Sequence, residues 1–365
     1  MSLLRVNSSL RSWRTGLFAA TSIVVLMLYL LVPEARWRTP TKTDLVGSIA
    51  YLADDGQSVN LYVLDLRRGN TVELARGLYE WPVPCWINSG RRLVFGSRRG
   101  DAQHLWVTDL DGSSIRDITT HDPYVDQMAC SNRGSQIVIH TPSGLVVLDA
   151  EIGDRKLLVE RTNLWVGYPV WSHDGKTIAF IEGSGESGRP QHLCVIDSTG
   201  ANRKCIADDA AMFSTPVWSP SDDELAYKTT RQEAQLKLVR VSDGRSTVLQ
   251  GKPQSGSQGF LWSRDGHAMI YAEGWPDVAL SLEDIHSGER KVLAYGIPKY
   301  VAVSSGGQIL FTAIGNPQRS PLFQGIIPCI SDCGRAIFVM RADGTDVRRL
   351  STRYKEIHNF ALSEW

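Results

Sequence analysis

One pattern recurs along this chain and limits its possible folds more than any other feature. A Trp-containing strand is followed by a Gly turn and an apolar strand. A variable loop, a second apolar strand often ending in Asp, another Gly turn and a last strand complete the unit. The clearest copy reads Pro169-Val170-Trp171-Ser172-His173-Asp174-Gly175-Lys176-Thr177-Ile178-Ala179-Phe180, continued by Leu193-Cys194-Val195-Ile196-Asp197-Ser198-Thr199-Gly200. Other copies hold Cys85-Trp86, Val217-Trp218-Ser219 and Leu261-Trp262-Ser263, and two replace the Trp, with Cys130-Ser131 and Val303-Ser304. The central residues of the second strands fall at Ala50, Val94, Val138, Ala179, Ala226, Ile270 and Leu310, in steps of 44, 44, 41, 47, 44 and 40 residues. Short alternating strands repeated at this period form four-stranded propeller blades. The Asp-Gly and Ser-Gly pairs supply the positive φ that tight hairpin turns need.

The expected fold is therefore all-β, a seven-bladed β-propeller. A six-bladed ring would require one weak copy to be something else. The first copy has no Trp strand of its own, whereas Leu362-Ser363 near the C-terminus matches the Trp-Ser position. Residues 357–363 are therefore expected to form the innermost strand of the first blade, closing the ring and hiding its edges. Trp86, Trp171, Trp218 and Trp262 are expected to pack between neighbouring sheets. Asp65, Asp109, Asp149 and Asp197 are expected to cap the turns that follow them.

Trp-Ser-His-Asp-Gly-Lys-Thr-Ile-Ala-Phe (171–180) and Trp-Ser-Pro-Ser-Asp-Asp-Glu-Leu-Ala-Tyr (218–227) resemble the repeat of the TolB-like (WD40-like, PD40) β-propeller family. Asp343-Gly344-Thr345-Asp346 through Ser351 resembles that repeat's closing strand. The resemblance spans residues 44–365 and implies a fold, not an activity. The family's namesake carries an extra α/β domain before its ring, whereas only about ten residues separate Trp37 from the first strand here. The chain resembles the family, not that protein itself, and no partner-binding residue is carried over.

Residues 15–33 are uncharged and mostly apolar, long enough for one N-terminal transmembrane helix. Arg5, Arg11 and Arg14 precede it without acidic neighbours, which places residues 1–14 in the cytoplasm and the propeller outside, on the periplasmic side. Residues 34–43 then form a linker and 44–365 the propeller. A cleaved signal peptide is the alternative, although Pro33-Glu34-Ala35 is a poor cleavage site. Six Cys suit an oxidising compartment. Cys194 and Cys205 lie symmetrically about a turn, and Cys329 and Cys333 flank a short one, so each pair is a disulfide candidate; six free thiols are the alternative. The pairing of Cys85 and Cys130 is left open. No CxxC or His pair has metal-ligand spacing, so no metal or cofactor is expected.

Lys+Arg and Asp+Glu balance at 39 each, which is not the charge footprint of a general nucleic-acid binder. The loops entering the inner strands are rich in aromatics, each two to seven residues before a Trp position. Tyr79, Glu80, Trp81, Tyr124, Asp126, Trp165, Tyr168, Phe213, Tyr300, His358 and Asn359 are the candidate ligand-binding set at the channel mouth. The competing reading has most of these rings packed beneath loops. No Gly-x-Ser-x-Gly, HExxH, P-loop or dinucleotide fingerprint occurs, so no catalytic residue is assigned. The expected role is a non-enzymatic, membrane-anchored propeller that binds a protein or envelope polymer through one face. The alternative is a propeller lyase or hydrolase acting on carbohydrate or peptide at a channel site.

Overall fold

The computed structural model describes residues 45–78, 83–99, 102–119, 125, 127–131, 133–186, 188–230, 235–251, 260–273, 279–295, 300–314, 334–351 and 354–363. The expected membrane segment and linker, residues 15–43, lie outside them, as do Cys329 and Cys333. Among the described residues, the strands form seven four-stranded antiparallel sheets, one for each repeat. The second-strand residues Ala50, Val94, Val138, Ala179, Ala226, Ile270 and Leu310 are all buried. The sequence period therefore reports the radial layers of a seven-bladed propeller. Their neighbours fill the spaces between blades, as Phe180 and Ile196 of blade 4 do against Val138 and Val147 of blade 3.

Blade 1 draws its strands from both ends of the ring. Glu356–Leu362 is its inner strand and pairs antiparallel with Ser48–Asp54, with Ile49 opposite Leu362 and Ala50 opposite Ala361. Ser48 N donates to Ser363 Oγ at 2.7 Å, and Ser363 N donates to Ser48 O at 2.9 Å. The Gly90 turn of blade 2 rests on Ser363 so closely that a Cβ at residue 90, whose φ is +77°, would overlap the Ser363 backbone. Only glycine meets both demands.

The repeat's Trp-Ser pair has a physical role in each half. The Trp indoles reach the preceding blade and donate to its inner-strand carbonyls: Trp86 to Ala361 (3.0 Å), Trp171 to Ala129 (3.0 Å), Trp218 to Val170 (3.3 Å) and Trp262 to Val217 (3.2 Å). Each acceptor lies one residue before the Trp position of its own blade. Burying a large ring while satisfying its N–H explains why Trp occupies the site. Blade 3 has Cys130 there, and Cys130 is disulfide-bonded to Cys85, the residue one before Trp86. A covalent bond thus joins blades 2 and 3 at the level where an indole joins four other neighbouring pairs of blades.

The Ser accepts the first N–H of the next strand and donates to the turn's Asp. Ser263 Oγ accepts from Ala268 N at 2.9 Å and donates to Asp265 Oδ1 at 2.5 Å; Ser172 and Ser219 do likewise with Asp174 and Asp223. The Ser263 hydroxyl and then the His267 N–H hold the Asp265 carboxyl below the usual carboxylate value. For Asp223 the Ser221 hydroxyl is the largest cause, outweighing the burial that opposes it. A depressed carboxyl pKa stabilises the fold above the unfolded value of about 3.9 and ceases to do so as pH falls through the folded value. The melting temperature should therefore be level from pH 7 to about 5 and fall below about 4. Asp265→Asn with Asp223→Asn should flatten that acid limb; a limb of unchanged steepness in the double variant would dissociate it from these turns.

Not every expected cap forms. Asp65 accepts from Arg67 N and Arg68 N, and Asp149 from Glu151 N and Ile152 N. Asp109 instead pairs with Arg92 at 3.0 Å, and Asp197 accepts from the Asn202 side chain. In both, a nearby donor side chain takes the carboxylate.

Candidate functional site

The inner strands surround a central cavity of about 400 Å³ that takes wall residues from all seven blades. Every inner strand runs from the loop face, where the chain enters from the preceding blade, to the turn face, where it reverses into the second strand. Met128, Val170, Val217, Leu261 and Ala302 line the bore between.

At the loop face, three of the sequence-predicted rings meet. Trp165 and Tyr168 lie 5.6 Å apart between centroids, and Tyr168 stands edge-on to Phe213 at 6.4 Å. His140 of blade 3 extends the group, 5.8 Å from Trp165. Phe213 is 57% exposed, an unusual position for a ring this apolar. Tyr168 also lines the cavity, so the cluster joins the bore.

Local sequence builds this group. Trp165 and Tyr168 were expected in a loop but belong to the inner strand of blade 4, Trp165–Trp171, which pairs with Thr177–Gly183. A bulge between Gly167 and Val170 hides the alternation that would have revealed it, and Tyr168 sits at φ +51°. Tyr168 N donates to Gln127 Oε1 at 2.5 Å, fixing this conformation from blade 3. A Cβ on Gly167 would overlap the Trp165 ring, so the missing side chain is what seats the indole on the backbone. The segment carrying Phe213 is held by Ala211 N donating to Lys228 O at 2.8 Å. Burial pushes the Lys228 ammonium down to about 8.

The other candidates are distributed differently. Tyr300 precedes the inner strand of blade 7, its N–H donating to Thr312 Oγ1 at 3.3 Å. His358 lies on the closing strand of blade 1, so both belong to other sectors of the ring. Tyr79, Glu80, Trp81, Tyr124 and Asp126 lie outside the described residues, as does the Asn359 side chain. Cys194 and Cys205 face each other on the outer strands of blade 4 and are disulfide-bonded. Glu182 approaches both sulfurs, but bonded sulfurs are not thiolate ligands, and Glu182 pairs with Arg203.

At the turn face, sequence reasoning missed two residues, His173 and Arg264. Both occupy the position after Ser in the repeat, as do Pro220 and Ser305, and all four line the cavity. That shared position was the available signal.

No family model matches the chain. A Bacillus subtilis protein described as the uncharacterized peptidase YuxL is 28% identical over 128 residues, which cover 34% of this chain and 18% of that relative. The match thus spans under a fifth of the relative's length. Solved structures share the fold at low identity. A puromycin-hydrolyzing peptidase of Mycobacterium tuberculosis has a TM-score of 0.59 at 14% identity, over 88% of this chain and 54% of that one. An oligogalacturonate lyase in complex with manganese has a TM-score of 0.58 at 13% identity, over 83% and 85%. TolB from Acinetobacter baumannii has a TM-score of 0.52 at 15% identity, over 87% and 82%. The fold is that of the TolB-like propellers.

Proposed function

We propose that this protein is a membrane-anchored, extracytoplasmic propeller that binds a protein or an envelope polymer through its loop face, without catalysing a reaction. The observation that carries this reading is the contiguous Trp165–Tyr168–Phe213 group, part of it exposed, opening onto the central cavity. Clustered aromatics beside a depression are what binding hot spots are made of. The first described residues join blade 1 at its turn-face end, where Leu66 N donates to Gly47 O. The names of the peptidases and the lyase keep an enzymatic reading in view. Against it, the described cavity wall contains one His and no carboxylate.

Crosslinking of the full chain in membranes, followed by identification of the captured species, tests the proposal. Trp165→Ala with Phe213→Ala should lower specific capture at least tenfold while the circular-dichroism spectrum stays that of the parent, since truncating one hot-spot aromatic typically costs about 2 kcal/mol or more. Undiminished capture by the folded double variant would remove the loop-face site.

A further inference from the structure

We infer that Cys194, Cys205 and Glu182 form a redox-gated zinc site in blade 4, closed while the two sulfurs share a bond and open to a thiophilic divalent ion once that bond is reduced. None of the three lines the central cavity, and the site does not depend on which macromolecule the loop face binds.

Three neighbouring strands of one sheet bring the residues together. Thr177–Gly183 pairs with Gln191–Asp197, which pairs with Lys204–Ala210. Cys194 stands opposite Phe180 on one side and Cys205 on the other. Glu182 is two residues beyond Phe180, so its side chain projects to the same face of the sheet as Cys194. That face packs on blade 3, where Val138, Leu145 and Val147 supply only apolar side chains. One ligand atom from each of the three residues lies within 4.8 Å of the other two.

Glu182 is an unusual side chain to find there. It is 7% exposed, and a buried carboxylate needs partners. Arg203 donates to Oε1, and its guanidinium lies over the Phe180 ring, 5.7 Å from the centroid. Among the described residues no N–H or O–H donates to Oε2. That oxygen is turned instead to the sulfurs, 3.5 Å from Cys194 Sγ and 3.9 Å from Cys205 Sγ. While bonded to each other, the sulfurs carry no proton to donate. At a tetrahedral zinc, with bonds of about 2.3 Å to sulfur and about 2.1 Å to oxygen, a sulfur and an oxygen ligand stand about 3.6 Å apart. The carboxylate already has that spacing to both sulfurs, and only the sulfurs must part.

Opening the site takes a dithiol reductant. It supplies two electrons and two protons, the Cys194–Cys205 bond breaks into two thiols, and the reductant closes its own disulfide. A zinc ion then displaces both thiol protons to solvent as two Zn–S bonds form, and Oε2 makes the third bond. Three anionic ligands exceed the ion's charge by one, which the Arg203 guanidinium offsets while it holds the carboxylate in place. Cys205 is exposed, so the fourth position opens to solvent. Thiolate ligands favour zinc over calcium or magnesium.

Zinc titration of the full chain, oxidised or reduced with a dithiol and desalted without air, tests the assignment. Cadmium serves as the second probe, its thiolate charge-transfer absorbance reporting sulfur ligation. The reduced chain should keep the parent's circular-dichroism spectrum and bind zinc roughly a hundredfold more tightly than the oxidised chain, which offers an oxygen but no thiolate. Cys194→Ser with Cys205→Ser should lose that gain, although four Cys remain. Glu182→Gln and Glu182→Asp, the second keeping the charge but withdrawing the oxygen, should each weaken zinc binding roughly tenfold or more. A roughly hundredfold excess of calcium should not compete. Equal zinc affinity of the oxidised and reduced chains, undiminished binding by the double Cys variant, unchanged affinity in both Glu182 variants, or loss of the parent spectrum on reduction would each overturn the site.

Discussion

A chain ending at Lys355 should not yield a folded monomer. It would lose the inner strand of blade 1, Glu356–Leu362, including the buried Ile357 and Leu362. It would also bare the edge of Ser48–Asp54, in which Ile49, Ala50, Tyr51 and Leu52 are at most 2% exposed. Each buried aliphatic side chain is worth on the order of 2 kcal/mol and each ladder hydrogen bond about 1 kcal/mol. Trp86 would lose its acceptor on Ala361, and Arg335 its partner Glu356 at 2.9 Å. The sum is comparable to a domain's whole stability of roughly 5–15 kcal/mol. Size-exclusion chromatography should find the truncated chain aggregated, as an open sheet edge invites. A monodisperse product melting within a few degrees of the parent would show that the ring closes elsewhere.

The second large effect concerns the bond between blades 2 and 3. Cys85–Cys130 spans 45 residues and Cys194–Cys205 spans 11. In the chain-entropy account, the first should contribute about 4 kcal/mol and the second about 3 kcal/mol. The first is also the lateral tie between its two inner strands, where other junctions have an indole hydrogen bond worth about 1 kcal/mol. Cys85→Ser with Cys130→Ser should therefore lower the melting temperature by about 6 °C, at roughly 1.5 °C per kcal/mol from an unfolding entropy of about 2.1 cal/mol/K per residue. Cys194→Ser with Cys205→Ser should cost less, since that bond lies within a single hairpin already held by its ladder. Urea unfolding of both variants measures the difference. Equal losses would mean that the inter-blade position of the first bond adds nothing.

The ring was legible because burial imposes one apolar residue per blade at a fixed step, so Ala50 through Leu310 mark the layers without any knowledge of contacts. The Trp positions were legible as core for the same reason. What each indole bonds to was not, because an acceptor on the neighbouring inner strand depends on the register between blades, which no local pattern encodes. The Cys85–Cys130 bond was hidden likewise: the two residues are adjacent only once blades 2 and 3 stand side by side.

The candidate site was legible in part. Aromatic enrichment pointed to Trp165, Tyr168 and Phe213, but the bulge at Tyr168 disguised a strand as a loop. His173 and Arg264 each stand between Ser and Asp-Gly in the repeat, and no local pattern distinguished them. Both line the cavity at the turn-face end of their inner strands, a placement that appears only once the blades stand around the bore.

Hydrogen exchange of the intact chain, resolved to residues 49–54 and 356–362, tests the closed ring most directly. Both segments should be protected to the same degree and lose protection together with the rest of the ring. Rapid exchange of Glu356–Leu362 while Arg92–Arg99 of blade 2 stays protected would contradict the closure on which the cavity and both of its ends depend.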